Sequence, residues 1–426
     1  MRLCYNNSFS EEKMARIEPF RGVRPRRDMA HLVAAPPYDV LTSEEARDMA
    51  AGNPYSFLHI GKPEIDLPPG TDLYSDAVYA KGKENFLRFL REGTIVPDRT
   101  RNFYIYKQVW GEHVQIGLGA AASCRDYLDD VIKKHELTRV DKENDRMRHI
   151  ETLGAQTGPV FLTYRRKETI DALIAESMKK DPEYDITTPD GVRHIFFVVD
   201  EAGLVLRIQK AFAALDNLYV ADGHHRSAAA TRIKVKRDQE RPGRTGREED
   251  NFFLAVIFPH NQMKILPYNR VVRDLNGLDS AAFLARVGEK FLVRPSERKS
   301  PERSREFSMF LDSRWHVLEA RPGTFDLADP IRSLDVSILQ ENLLAPVLGV
   351  TDPRTDKRID FVGGIRGSGE LEKKVLAGGF RVAFSMFPTT IDQLFDAADG
   401  GKTMPPKSTW FEPKLKDGLV VHMIDE

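Results

Sequence analysis

The segment over residues 221–230, ADGHHRSAAA, constrains the fold most, because an apolar strand runs through an Asp-Gly turn into an alanine-rich helix. Gly223 permits a tight turn and a close approach of the backbone. The first turn of the helix has unpaired N–H groups and the positive end of the helix dipole. His224, His225 and Arg226 add donors and balance charge at this place, and we expect His225 and Arg226 to face solvent. The segment therefore predicts a phosphate-binding or nucleotide-binding site.

The same residues also have a structural interpretation. Asp222 is a good N-cap, Gly223 is a common turn residue, and histidine and arginine are frequent near helix ends. The pair His224 and His225 does not indicate a metal site, because neighbours on a helix point about 100° apart. Phosphate chemistry usually needs magnesium held by carboxylates. We therefore expect Mg²⁺ as a cofactor, with Asp222 as its ligand and as a catalytic residue.

Composition indicates a large globular protein. A chain of 426 residues with 41% apolar and 30% charged residues can bury one large core or two ordinary ones. The longest apolar run, residues 252–258, is far too short to span a membrane, and the N-terminus lacks a signal-peptide pattern. We therefore expect a cytoplasmic protein without a membrane partner. Two cysteines are too few for a disulfide framework.

The charge balance argues against a nucleic-acid partner. The 63 basic residues are matched by 64 acidic ones, so no global field attracts the chain to nucleic acid. A basic stretch over residues 232–247 is a local exception, and its glycine and proline favour a solvated loop. Nucleic-acid binding is therefore not expected.

Strands and helices alternate up to about residue 275, and beyond it the pattern changes to helices with short strands. The sequence predicts an α+β fold with three parts: a polar tail over residues 1–15, a phosphate-binding domain with an insertion over 16–275, and a mixed α/β domain over 276–426. Residues 301–311 are predicted as a helix. Two apolar runs, residues 252–258 and 264–272, are predicted as a strand pair.

Two acidic residues are candidates for the catalytic base. Asp39 and the possible substrate contact Tyr38 follow two prolines and precede a helix, which holds them on a constrained turn. Glu136 and the possible substrate contact His135 lie in a loop that can reach the phosphate turn. His225 is a further catalytic candidate. Asp39 is also a common turn residue, and most charges of residues 142–146 are expected to be solvated.

Two other segments offer phosphate or substrate contacts. Lys407, Ser408 and Thr409 place one ammonium and two hydroxyls in a stretch preceded by two prolines, although it lacks the glycines of a P-loop. Asn269 and Arg270 lie between apolar strand residues and are candidates for substrate binding. Arginine at such a position equally often pairs with a structural carboxylate.

Residues 222–226 have the sequence DGHHR, and we call them the DGHHR turn. Together with the strand before them and the small-residue helix after them, they resemble the signature of the ParB/sulfiredoxin-like superfamily. DGHHR is the form of this signature found in the free serine kinases of that superfamily. Further segments resemble the bacterial family called domain of unknown function 1015. They are IEPFRGVRP (17–25), APPYDV (35–40), KHELT (134–138), KENDR (142–146), LPYNRVV (266–272) and MPPKSTWFEPKL (404–415).

This resemblance implies a ParB/sulfiredoxin-like core enlarged by insertion. It also implies that the DGHHR turn holds the phosphates of ADP or ATP. In free serine kinases the catalytic glutamate follows the first strand, and chain order places Asp39 there. The hypothesis is phosphoryl transfer involving free serine or phosphoserine, by a nucleotide-dependent kinase or a phosphatase, in a chain that can form a homo-oligomer. The alternative is a nucleotide-binding, ParB-like regulatory or DNA-associated module without turnover.

Overall fold

The computed structural model describes residues 14–425, which divide into two compact units. The first unit comprises residues 14–133, 138–262 and 414–425, and the second comprises residues 134–137 and 263–413. Helices and strands occur in both, which confirms the α+β class and a further C-terminal α/β region. The division differs from the predicted boundary at residue 276, because the chain enters the second unit earlier and its last residues return to the first. Residues 1–13 of the predicted tail lie outside the described residues.

The first unit contains a large mixed sheet, whose strand order is β6-β11-β8-β12-β5-β4-β10-β9, with β1 paired to β5. Strand β11 runs parallel to β6 and antiparallel to β8. The strands of this unit up to residue 262 are β1 (Ile17–Glu18), β2 (Gly22–Pro25), β3 (Ile95–Pro97), β4 (Phe103–Trp110), β5 (His113–Ser123), β6 (Ile132–Lys133), β7 (Ala155–Gln156), β8 (Val160–Tyr164), β9 (Tyr184–Thr187), β10 (Arg193–Val199), β11 (Leu218–Asp222) and β12 (Phe252–Pro259).

Helices of the first unit pack on the sheet, and α6 and α9 carry Arg146 and Arg226, which are discussed below. Apolar residues of α7 and α8 join the core formed by alternate sheet residues such as Leu162, Val220 and Ile257. Helix α9 packs against α6. The helices of this unit are α1 (Ala30–Val33), α2 (Ser43–Ala50), α3 (Leu58–Gly61), α4 (Asp76–Arg91), α5 (Cys124–Leu128), α6 (Val140–Leu153), α7 (Glu168–Ser177), α8 (Ala202–Ala213) and α9 (His224–Glu240), with short 3₁₀ turns at Tyr38–Val40, Pro63–Asp66, Glu249–Asn251 and His260–Gln262.

The second unit contains an antiparallel sheet in the order β15-β17-β16-β19-β14-β18, and a separate antiparallel β13-β20 pair. Its strands are β13 (Lys264–Leu266), β14 (Tyr268–Val272), β15 (Phe291–Pro295), β16 (Glu306–Leu311), β17 (Arg314–Ala320), β18 (Ile359–Gly363), β19 (Val382–Met386) and β20 (Trp410–Glu412). Its helices are α10 (Ser280–Gly288), α11 (Asp335–Leu339), a π-helical turn at Gln340–Leu344, a 3₁₀ turn at Gly364–Arg366, α12 (Gly367–Leu376) and α13 (Ile391–Asp399).

The C-terminal residues return to the first unit as a short strand. Strand β21 (Val421–Met423) joins a small sheet in the order β3-β2-β21-β7. Just before it, the N–H of Asp417 donates to the carbonyl of Ala35 at 2.9 Å, and the N–H of Ala35 donates back at 3.1 Å. The C-terminal segment therefore forms part of the first unit's structure, beside the turn at Tyr38–Val40.

Two predicted elements are wrong. Residues 301–311 contain the central strand β16 instead of a helix, and it pairs with β17 and β19. All six residues of β16 are buried, so the alternation that marks a half-exposed strand is absent. Strands β12 and β14 do not pair, because β12 pairs with β5 and β8 in the first unit and β14 with β18 and β19 in the second. Across residues 14–425, no helix combines the length and apolar character needed to cross a membrane.

Candidate functional site

The DGHHR turn has the predicted strand, turn and helix. The pairing of β11 with β8 shifts its register between Val220 and Asp222, which ends the regular ladder just before the turn. Gly223 has φ of 93° and is the N-cap of α9. A Cβ built on Gly223 would lie 3.1 Å from Nε of Arg226. Glycine is therefore needed here both for the left-handed backbone and for the close approach of the guanidinium.

Arg226 is buried beside carboxylates. Its side chain is only 10% exposed, and its Nη2 lies 3.6 Å from Oδ2 of Asp39. The Nη1 group donates to the carbonyl of Pro159, and Nε is buried without a hydrogen-bond partner among the described residues. Burial acts to lower the pKa of this guanidinium, but Asp39, Asp222 and Asp417 raise it above its ordinary value. The group therefore stays cationic, and the expectation that Arg226 faces solvent is wrong.

Asp39 lies on the 3₁₀ turn Tyr38–Val40, and its side chain is 38% exposed. The ring of Tyr38 lies under the guanidinium of Arg146, 3.8 Å from its carbon to the ring centroid. Arg146 also pairs with Asp145 at 2.7 Å, and these two side chains are 11% and 10% exposed. The hydroxyl of Tyr79 donates to Asp145 at 2.8 Å. These two charges of the 142–146 segment are therefore buried beside Asp39 instead of solvated.

The C-terminal segment supplies two charged residues that sequence reasoning missed. Nζ of Lys414 lies 2.8 Å from Oδ2 of Asp222, whose Oδ1 accepts from the N–H of Gly223 at 2.8 Å. Asp417 is buried, and burial raises the pKa of its carboxyl to about 7 although Arg226 acts against this. Its Oδ1 has no hydrogen-bond partner among residues 14–425. In sequence, KLKDG gives no sign of this burial, since a charged run near a glycine is typical of a solvated turn.

A small cavity lies between Arg146, Arg226 and Asp417. Its volume is about 20 Å³, enough for a water molecule. A Cβ built on Gly158 would lie 3.2 Å from Oδ1 of Asp417, so glycine keeps the backbone close to this carboxyl. The lining residues are Tyr38, Gly61, Arg146, His149, Ile150, Gln156, Thr157, Gly158, Val160, Arg226, Phe253, Leu254 and Asp417.

The two histidines of the DGHHR turn differ in their surroundings. His224 is buried, and burial lowers the pKa of its imidazole to about 4, so the ring is neutral at pH 7. This differs from the expectation that His224 balances negative charge. His225 is half-buried, and its Nε2 accepts a hydrogen bond from the N–H of Arg139 at 3.1 Å. That bond requires a neutral Nε2, with the ring proton on Nδ1.

The remaining predicted residues belong to the second unit. Glu136 is exposed, and His135 is buried with its carbonyl accepting from the N–H of Met404 at 2.8 Å. Glu136 and Asp39, the two candidates for the base, thus lie in different units. The structure brings Asp39, and not Glu136, together with the DGHHR turn within one unit.

Asn269 and Arg270 have structural partners in β14. Oδ1 of Asn269 accepts from the N–H of Met386 at 3.0 Å. The guanidinium of Arg270 donates to the carbonyls of Tyr268 and Lys407, the latter at 3.1 Å, and burial lowers its pKa to about 10. Both side chains are therefore committed to backbone groups.

The segment Lys407, Ser408 and Thr409 is only partly accessible. Lys407 is exposed with φ of 58°, and its Nζ lies 3.4 Å from the hydroxyl of Tyr268. Ser408 is buried, and its hydroxyl donates to the carbonyl of Pro405 at 2.6 Å. Thr409 is half-buried. Of the two hydroxyls expected to contact phosphate, that of Ser408 is thus already used locally.

The residues around Asp222 do not fit a magnesium site. One oxygen of Asp222 pairs with Lys414 and the other accepts from Gly223. Over residues 14–425, no three histidine, cysteine or acidic residues are grouped as metal ligands. A cation at Asp222 would therefore have to displace the ammonium of Lys414.

Known structures resemble the chain remotely. A free serine kinase in complex with AMP is 12% identical, with a TM-score of 0.35 over 71% of this chain and 91% of that chain. A conserved hypothetical protein from Pyrococcus furiosus is 14% identical, with a TM-score of 0.34 over 71% and 93%. SbnI with a C-terminal truncation, from Staphylococcus aureus, is 10% identical, with a TM-score of 0.36 over 70% and 85%. At this level of similarity we carry over no residue role.

No curated protein matches the chain. The family described as "protein of unknown function (DUF1015)" matches residues 17–337, about three quarters of the sequence. The matched range includes Asp39, Arg146 and the DGHHR turn, whereas Lys414 and Asp417 lie beyond it. The chain therefore belongs to the DUF1015 family.

Proposed function

We propose that the first unit binds a phosphate-bearing ligand at the DGHHR turn and transfers a phosphoryl group involving free serine or phosphoserine. The enzyme is then a nucleotide-dependent serine kinase or a phosphoserine phosphatase. The observation that carries this proposal is the 3.6 Å distance between Oδ2 of Asp39 and Nη2 of Arg226. An anion bound by Arg226 has a carboxylate beside it, as phosphoryl transfer to or from a hydroxyl requires.

Arg226 is the proposed anion-binding group. A buried guanidinium that keeps its charge has lost most of its hydration, and its planar fork fits two oxygens of a phosphate. Its Nε has no partner among the described residues, so one donor is available without breaking a hydrogen bond. The long helix α9 begins at the same place and adds the positive end of its dipole.

Asp39 is the proposed base. Its side chain is the most exposed of the carboxylates around Arg226, so a small solute can reach it. In the kinase direction, the hydroxyl oxygen of serine attacks the terminal phosphorus of the nucleotide and its proton passes to Asp39. The bond from that phosphorus to the bridging oxygen breaks. In the phosphatase direction, water attacks the phosphorus of phosphoserine and gives its proton to Asp39, while the P–O bond to serine breaks and the departing serine oxygen takes up a proton. We assign no step to a metal held by the protein.

The choice of serine and of ADP or ATP rests on the resemblance of DGHHR to the free serine kinases. The geometry supports the anion site and the adjacent acid, which both directions share. Lys407 and Thr409 stay predicted phosphate contacts, and Glu136 stays the rival base in the second unit.

The test is turnover by the purified full chain. It is incubated with serine and ADP, with serine and ATP, and with phosphoserine alone, while phosphoserine and inorganic phosphate are followed by ³¹P NMR. Phosphoserine formation indicates a kinase, and phosphate release from phosphoserine indicates a phosphatase. Nucleotide binding without turnover in any mixture would instead favour the regulatory module. The absence of both nucleotide binding and turnover would contradict the proposal.

A further inference from the structure

The charged groups around Arg226 do not balance. Around this guanidinium and its neighbour Arg146, four acids accompany three cations, so the fully ionised cluster carries a net charge of −1. The acids are Asp39, Asp145, Asp222 and Asp417, and the cations are Arg146, Arg226 and Lys414. Burial lowers the pKa of His149 and of His224 to about 4, so these rings add no charge at pH 7. Such a cluster opposes the entry of a phosphate.

Asp417 is the acid that lacks a cation of its own. Asp222 pairs with Lys414 at 2.8 Å, Asp145 with Arg146 at 2.7 Å, and Asp39 faces Arg226 at 3.6 Å. Asp417 makes no ion pair with any described residue within 4.0 Å, and its buried Oδ1 has no hydrogen-bond partner there. A buried carboxylate without partners is costly, so this acid is the one that protonates most readily.

The surroundings of Asp417 support this. Burial is the largest cause that raises the pKa of its carboxyl to about 7, Asp39 acts in the same direction, and Arg226 and Arg146 oppose it. The groups that face it are Arg226 from α9, Arg146 and His149 from α6, Tyr38 and Asp39 from the 3₁₀ turn, and Lys416 from its own segment. Lys416 is itself bound to Asp190 at 2.6 Å.

We propose that Asp417 takes up one proton when a phosphate-bearing ligand binds at Arg226, which removes the excess negative charge of the cluster. The inference rests on the anion site of the proposed function. The proton comes from solvent and adds to a carboxylate oxygen of Asp417, and no other bond forms or breaks. Arg226 then faces one carboxylate fewer and serves the ligand. Asp417 is thus a positioning residue, which acts through Arg226.

The test uses sulfate, which mimics phosphate and stays a dianion across the neutral range. In the natural protein, the sulfate affinity should fall about tenfold per pH unit above neutrality, because each anion needs one proton. Asp417→Asn has nearly the same volume and cannot ionise, so its affinity should be independent of pH and exceed that of the natural protein at about pH 8. Asp335→Asn is the matched control, since burial also raises the pKa of this second-unit acid to about 7.

A wild-type slope retained in Asp417→Asn, or lost equally in Asp335→Asn, would overturn the inference. Calorimetry of the natural protein in two buffers of different ionisation enthalpy counts the protons directly and does not depend on any variant folding. We expect the uptake of about one proton per bound sulfate above neutrality. Sulfate binding without proton uptake would overturn this inference but would leave the proposed anion site intact. Absence of sulfate binding at every pH would instead contradict the anion site, and with it both proposals.

Discussion

Arg226 in the first unit and Arg270 in the second are both buried, yet their surroundings are opposite. Arg226 lies among Asp39, Asp222 and Asp417, which raise the pKa of its guanidinium. Arg270 donates to two backbone carbonyls and lies 5.5 Å from the ring centroid of Phe361, so that burial dominates and lowers its pKa. The second arginine has the bonding of a structural residue.

The two guanidinium groups differ in how fully their donors are used. Around Arg226, buried polar atoms of two residues lack hydrogen-bond partners among the described residues, namely Nε of Arg226 and Oδ1 of Asp417. Folding alone does not favour such an arrangement, because each such atom costs about 1–3 kcal/mol. A ligand that supplies the missing partners at Arg226 is what the proposed function requires. The second unit has a buried carboxylate oxygen without a partner among the described residues as well, Oδ2 of Asp335, but no cation pairs with it there within 4.0 Å.

The largest effect should come from the two candidate bases. Asp39→Asn removes the acid beside Arg226 and should lower turnover at least ~100-fold with modest change in nucleotide binding. Glu136→Gln, an equally conservative change in the second unit, should leave turnover within about threefold of the natural rate. Rates of phosphoserine formation or hydrolysis measure both. The reverse result would move the chemistry to Glu136.

The two arginines give the next largest effect. Arg226→Lys keeps the charge but loses the planar fork, and it should weaken sulfate or nucleotide binding roughly 10–100-fold. Arg270→Lys should leave binding unchanged and lower the stability of the protein, because backbone carbonyls lose donors. Binding is measured by calorimetry and stability by urea unfolding. Equal loss of anion binding in both variants would contradict the assignment of Arg226 as the anion-binding residue and Arg270 as a structural one.

The two buried acids Asp417 and Asp335 should both make the stability of the protein depend on pH. Burial raises the pKa of Asp417 in the folded state to about 7, above its unfolded value near 4, so its contribution to stability is complete below about pH 4. That contribution is lost as pH rises through about 7. Asp417→Asn should remove this loss, on the order of 2 kcal/mol between about pH 5 and 8. The outcome follows from urea unfolding at both pH values.

Asp335→Asn should flatten the pH profile of stability in the same direction, since burial raises the pKa of this acid too. Only the Asp417 variant should also change how anion binding depends on pH. If the pH dependence of anion binding changed in both variants, the cause would be a general change in stability and not a local effect of Asp417 on Arg226.

The smallest effect is expected at two glycines. Gly223→Ala should cost about 1–2 kcal/mol for the left-handed backbone, and it also places a Cβ 3.1 Å from Nε of Arg226. Gly191 has φ of 78° and open space around it, so Gly191→Ala carries the backbone cost alone. Unfolding midpoints should therefore fall in both variants, whereas anion binding should weaken only in Gly223→Ala. Unchanged binding in Gly223→Ala would show that the guanidinium position is not critical.

The local parts of the site could be predicted from sequence. The DGHHR turn follows from a strand, a glycine and an alanine-rich helix in order, and the turn with Asp39 from its prolines and the following helix cap. Lys414 could not be predicted, because it reaches Asp222 across 192 positions of sequence, after the chain has passed through the second unit. The periodicity of apolar residues gives no information about a segment that returns to an earlier unit of the fold.

The sequence also gives incorrect predictions for buried charges and for a strand buried on both faces. Asp145 and Arg146 read as solvated because helix periodicity assigns charges to the outside, and only the ring of Tyr38 and the hydroxyl of Tyr79 reveal why they are inside. The sequence predicts a helix where β16 lies, because a central strand is buried on both faces and shows no alternation of apolar and polar residues. Both errors occur where tertiary contacts outweigh local pattern.

The most direct measurement is a crystal structure of the full chain with ADP and serine bound. We expect a phosphate of ADP within hydrogen-bond distance of the Arg226 guanidinium and of the amides at the start of α9, with the serine hydroxyl beside Asp39. A phosphate bound elsewhere, with Arg226 still facing only its three carboxylates, would contradict it.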